Sequence, residues 1–213
     1  MQYNESSTII YLKKGENLMF KMLLNPFENH TVRTLSIFGI LVMLTMILLC
    51  WQWNIIADGI IQLHNTAEKP LWKVIINLGI NVGLLSLLMF GVAKLSYQKT
   101  RFIDVLKVVL VANFAQVMVM LLLFNPFLQE MMMPLEKAIL EGDMMLKTVP
   151  QTNLIVISIV SLFAVGMLYY FFHLLVLGMK IAMNSKKAYH VILIILLTMI
   201  LDTFLHFFNP YLI

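Results

Sequence analysis

Charge is scarce in this sequence. Only 12% of its 213 residues are Asp, Glu, Lys or Arg, about half the share of a typical soluble domain. That shortage excludes water as the solvent for most side chains. Cysteine is nearly absent: Cys50 stands alone, which excludes an internal disulfide and a cysteine-based metal site. Catalytic signatures are missing as well. There is no His-Glu-x-x-His, no phosphate-binding glycine loop and no Gly-x-Ser-x-Gly. The first 33 residues are too polar for the apolar core of a cleavable leader, so the first hydrophobic run is expected to stay in the protein.

What the chain has is apolar surface. Hydrophobic residues make up 61% of it, and mean hydropathy is +0.88. Its 17 methionines are scattered through the apolar runs, where they serve as adaptable packing filler. The fold class that follows is all-α, a polytopic membrane protein with a bundle of five transmembrane helices in one domain.

Residues 1–33 form a polar N-terminal segment. Leu18, Met19, Met22 and Leu23 recur there near helical spacing, which predicts a short interfacial helix ending at Asn25-Pro26-Phe27. The transmembrane domain then covers 34–213. No charge occurs between Arg33 and Asp58, and a spanning helix needs about 20 apolar residues. Spans are expected at about 34–55, 71–95, 105–127, 153–178 and 188–207. Gly79 and Gly83 form Gly-x-x-x-Gly in the second, a candidate helix-packing face. Asn-Pro-aromatic recurs at Asn25, Asn125 and Asn209, and each is read as a helix boundary.

Five spans put the termini on opposite sides, and the basic residues decide which is inside. Eleven of the 15 Lys and Arg fall in the N-terminal segment, the second linker and the fourth linker. Lys94, Lys99, Arg101 and Lys107 make the second of these a basic cytoplasmic linker. The N-terminus is therefore expected in the cytoplasm and the C-terminus outside. The same distribution suits anionic lipid headgroups and argues against nucleic acid as a partner. The bilayer is the expected partner, with a membrane protein or a second copy of the chain beside it, and the inner membrane is the expected place if the source is bacterial.

Asp202 is the one acidic residue well inside a span, and such a residue reads as functional by default. His206 follows one turn later. Asn77 and Asn81 share a face of span two, Asn113 and Gln116 lie mid-depth in span three, and Ser158 lies in span four. Two readings fit this polar cluster. One is hydrogen-bonding glue between helices. The other is a small polar cavity or proton-linked site, with Asp202 as its carboxylate and His206 as its partner. The histidines do not converge: His64 and His206 belong to the outer level, His173 and His190 to the inner. No metal and no cofactor is expected.

Three short stretches carry a likeness to a family. They are Asn25-Pro26-Phe27 before span one, Pro70-Leu71-Trp72 opening span two, and Lys99-Thr100-Arg101-Phe102-Ile103-Asp104-Val105-Leu106 opening span three. In this order they resemble bacterial members of the Ypt-interacting protein (YIP) family of five-span membrane proteins. The resemblance implies a five-helix bundle with a cytoplasmic N-terminus, and for eukaryotic relatives a role in vesicle trafficking through small GTPases. It implies no catalytic residues. The sequence thus predicts a non-enzymatic membrane scaffold or adaptor. The alternative is a small transporter or permease component with a polar site around Asp202.

Overall fold

The computed structural model describes residues 24–29, 31–143 and 146–212. Helices dominate it. A single turn, α1 (Pro26–Asn29), precedes α2 (Val32–Gln52), whose first turn is capped by the Thr31 hydroxyl accepting from the Thr34 amide. A short antiparallel hairpin follows, β1 (Ile55–Ala57) and β2 (Leu63–Asn65). Next come α3 (Leu71–Ser96), α4 (Phe102–Ala112), α5 (Phe114–Leu123), α6 (Pro126–Leu140), α7 (Gln151–Ala182) and α8 (Tyr189–Leu212). The interfacial helix expected around residues 18–23 lies outside the described residues.

Among the described residues, five helices are long and apolar enough to cross a membrane: α2, α3, α4 with α5, α7, and α8. At about 1.5 Å per residue, the 21 residues of α2 reach about 32 Å, close to the hydrocarbon thickness of a bilayer. The predicted third span is two segments. The chain turns at Asn113, whose ψ of −10° leaves the regular helix, although its amide still reaches the Val109 carbonyl. The first span ends earlier than expected, because Trp53 and Asn54 turn the chain and Ile55 opens a strand. The third motif, Asn209-Pro210, is no boundary either. It sits in the last turn of α8, near an end where few ladder bonds remain to be lost.

The core lies around α4, which packs against α2, α3 and α7. Val105, Val109 and Ala112 are buried there beside Leu85 and Met89 of α3 and Leu174 and Leu175 of α7. Helices approach closely at two glycines. A Cβ on Gly39 would come within 2.8 Å of the Leu110 Cβ, and one on Gly178 within 2.6 Å of Val108. The Gly79/Gly83 packing face is corrected. The buried stripe of α3 runs through Val74, Leu78, Asn81, Leu85, Met89 and Val92, and the two glycines lie off it with nothing within 4 Å of an added Cβ.

The bundle has two unlike ends. At the hairpin end, α6 closes over the loops, with Asn125 capping its first turn and Asn65 donating to Gln129. At the other end the basic linker is a tight turn from Tyr97 to Arg101, and we call this the basic end. Lys94 and Lys99 are exposed there. Arg101 and Lys107 both pair with Asp104, at 3.3 and 2.9 Å. Lys107 was expected as a linker cation. It lies instead in the second turn of α4, buried, with its charge answered by Asp104.

These packing assignments predict opposite effects for two glycines. Gly178→Ala should cost about 1–3 kcal/mol by forcing α7 away from α4, whereas Gly79→Ala should be neutral or stabilise by up to about 1 kcal/mol. Unfolding of both variants in detergent, against the parent chain, measures the difference.

Candidate functional site

Residues 54–70 connect α2 to α3 by dipping back into the bundle. Asn54 adopts φ +51°, a left-handed conformation that Asn tolerates better than most side chains. It also accepts the Thr66 amide at 2.8 Å, which closes the base of the hairpin. Ile56 faces His64 across the pair, and Ala57 faces Leu63. Residues 55–60 are buried without a break.

A buried peptide group needs a hydrogen-bond partner, and the tip of a two-stranded hairpin cannot provide its own. Here the helices provide them. Asn77 pairs with Ala57 as a neighbouring strand would: its Oδ1 accepts the Ala57 amide at 3.2 Å, and its Nδ2 donates to the Ala57 carbonyl at 3.0 Å. Asn81, one turn along α3, donates from Nδ2 to the carbonyls of Ala57 and Gly59, at 2.7 and 2.9 Å. From α5, Gln116 donates to the Ile60 carbonyl. From α8, Asp202 accepts the Ile61 amide on Oδ1 at 2.8 Å, and Gln62 Nε2 lies 3.4 Å from Oδ2. Four polar side chains on three spans thus hold one segment of backbone.

Shape matches this bonding. Gly59 lies directly under Asp202, and an added Cβ would collide with the carboxylate. Beside the tip, Asn81, Asn113 and Gln116 border a cavity of ≈ 10 Å³, about enough for one water molecule. Asp58 is buried next to Gly59, and His64 Nε2 lies 2.9 Å from its Oδ2. Lys69 stands near this pair. Partial burial pulls its ammonium below the usual lysine range, Asp58 opposes that shift, and Lys73 adds to it.

The cluster expected from sequence is therefore gathered in part. Asn77, Asn81, Asn113, Gln116 and Asp202 converge on the hairpin. Ser158 and His206 do not. Ser158 is exposed and bonds the Leu154 carbonyl of its own helix at 2.7 Å. His206 is exposed and packs against Phe207. Four residues advance a helix by about 400°, so His206 sits one turn beyond Asp202 and about 40° round from it, on exposed helix surface. The hairpin itself was missed. Its signal is Asn54-Ile55-Ile56-Ala57-Asp58-Gly59-Ile60-Ile61, an apolar run split by Asp-Gly, which is a hairpin pattern.

This bonding predicts a graded series. Asp202→Asn keeps an acceptor for Ile61 and should be mild. Asp202→Leu strands the buried amide and should cost about 1–3 kcal/mol, as should Gln116→Leu at the Ile60 carbonyl. Ser158→Ala and His206→Ala should stay within about 0.5 kcal/mol of the parent. Unfolding in detergent ranks the set, and faster hydrogen exchange at the Ile61 amide in Asp202→Leu identifies the cause.

Comparison of the chain with protein-family models, with curated proteins and with solved structures returns no match.

Proposed function

We propose that the chain is a non-enzymatic integral membrane protein that works as a scaffold or adaptor through a partner helix. One observation carries this reading. The first half of α7 is scarcely covered by the rest of the chain, and its exposed Ile155, Ile159, Leu162, Gly166 and Tyr169 recur at intervals of four, three, four and three. That is the 3.5-residue repeat of a helix seam. Left-handed packing of membrane helices uses the same geometry. Gly166 leaves a notch in the seam, with nothing within 4 Å of an added Cβ. The polar side chains on the hairpin support the same reading, since they serve the backbone of the chain itself. The likeness in layout to the YIP family also favours an adaptor.

A second reading has its own support. An apolar cleft of ≈ 240 Å³ opens between α5 and α7, bordered by Ile61, Leu63, Leu168 and Phe171, with Gln116 as its polar member. An interrupted span beside a polar cluster is also a feature of small transporters. Under this reading the path would pass the hairpin and Asp202.

The two readings separate by experiment. Affinity isolation from native membranes, with mass spectrometry, should recover a stoichiometric membrane-protein partner. Gly166→Ile should lose that partner while unfolding at the same temperature as the parent. Recovery of the chain alone would overturn the adaptor reading. Solute uptake into proteoliposomes that is abolished by Leu168→Trp would establish the transporter instead.

A further inference from the structure

A second polar group lies at the basic end, far from the hairpin. The end of α3 (Val92, Leu95 and Ser96) with Tyr97 just after it, the turn between α7 and α8, and the first turns of α8 border a cavity of ≈ 490 Å³. The turn is firmly built. Asn184 ends α7 in the left-handed region at φ +48°, Ser185 donates its amide to the Lys180 carbonyl, and Thr100 bonds the Ala182 carbonyl at 3.0 Å. His190 is buried at the back, with Ser185 Oγ 2.6 Å from Nδ1 and Ser96 Oγ 3.1 Å from Nε2.

The hydrogen bonds form a chain. Ser185 Oγ accepts the Lys187 amide at 3.3 Å and pairs with Nδ1 of His190, whose Nε2 pairs with Ser96 Oγ. Ser96 borders the cavity. Lys187 stands at the rim, its Nζ 5.7 Å from the centre of the Tyr189 ring. Among the described residues, no carboxylate borders the cavity. The nearby Asp104 is already shared by Arg101 and Lys107. The polar part therefore offers a cation beside a hydroxyl, which suits an anionic oxygen.

The remaining lining is apolar and follows α8 inward. Leu193 and Leu197 lie one and two turns beyond His190, up to about 10 Å along the helix. Leu95 is almost fully exposed beside them and Leu193 partly so, which opens the apolar half sideways, where acyl chains would run. A cationic mouth above an apolar groove is the shape of an amphiphile with a phosphate head. We infer that this cavity binds an anionic phospholipid, its phosphate on Lys187 and Ser96 and its chain along Leu193 and Leu197.

The inference rests on the reading of the chain as an integral membrane protein, and retention of the full chain in alkali-washed membranes tests that reading separately. For the site itself, the purified full chain in mild detergent is titrated with phosphatidylglycerol and with phosphatidylcholine, and retained lipid is read by native mass spectrometry. Phosphatidylglycerol should bind more tightly. Lys187→Gln should weaken it about fivefold, the usual effect of one lysine near an anionic surface, and Ser96→Ala should weaken it too. Lys99→Gln, at the same end but outside the cavity, should leave it unchanged. Both lysines are exposed, so neither change threatens folding. Equal retention of the two lipids, or an equal loss in Lys99→Gln, would overturn the proposal. Displacement of the lipid by inorganic phosphate alone would also overturn it, in favour of a site for the free anion.

Discussion

The structure depends on one constraint: a peptide group taken out of water must find a hydrogen-bond partner. Helices meet it internally, but the tip of a hairpin does not. By burying residues 55–60, the chain creates a demand that only side chains from other spans can meet. Asn77, Asn81, Gln116 and Asp202 meet it. Their positions in turn tie α3, α5 and α8 to a single point, so the hairpin acts as the common anchor of three spans. The absence of a side chain at Gly59 belongs to the same arrangement, because the carboxylate of Asp202 occupies the space where a Cβ would be.

The helical architecture was legible because apolar length is a strong signal. All five expected spans correspond to helices, with boundaries that shift by a few residues. The polar cluster was legible in depth, since Asn77, Asn81, Asn113, Gln116 and Asp202 do share a level. Its purpose was not. A sequence shows which residues lie at one depth; it does not show that a loop comes in to meet them. The loop was hidden because Ile55, Ile56 and Ala57 read as a continuation of the first span, and Asp58 as its charged end. Gly79 and Gly83 misled for a related reason. A spacing of four places residues on one face of a helix, yet it does not say whether that face looks inward. Gly39 and Gly178, which do sit at close approaches, belong to no recognisable pair. Ser158 and His206 lie on exposed helix surface, which the sequence alone does not reveal.

The two ends of the bundle handle polar groups differently. At the hairpin end they are matched to backbone, at short distances, around a cavity that holds about one water molecule. At the basic end His190 and its two serines border a far larger space, beneath cations that outnumber the carboxylates. The first arrangement fixes the fold. The second leaves polar groups beside open volume. The exposed residues of α7 add apolar surface in a regular repeat. Bonding that closes the fold and surface that stays uncovered thus lie in different parts of the bundle.

The bond between Ile61 and Asp202 joins positions 141 residues apart, and that separation bears on how the chain is made. Asn77, Asn81 and Gln116 are synthesised soon after the hairpin and can receive most of it. The last acceptor arrives only with α8, which emerges after the four spans before it. Until then the Ile61 amide has no partner inside the bundle, and a hairpin seated early would carry an unsatisfied group. Seating is therefore completed late, and α8 works as a latch that closes over the hairpin after the four spans before it. A chain halted before Asp202 would seat its hairpin on Asn77, Asn81 and Gln116 alone and leave the Ile61 amide without its acceptor.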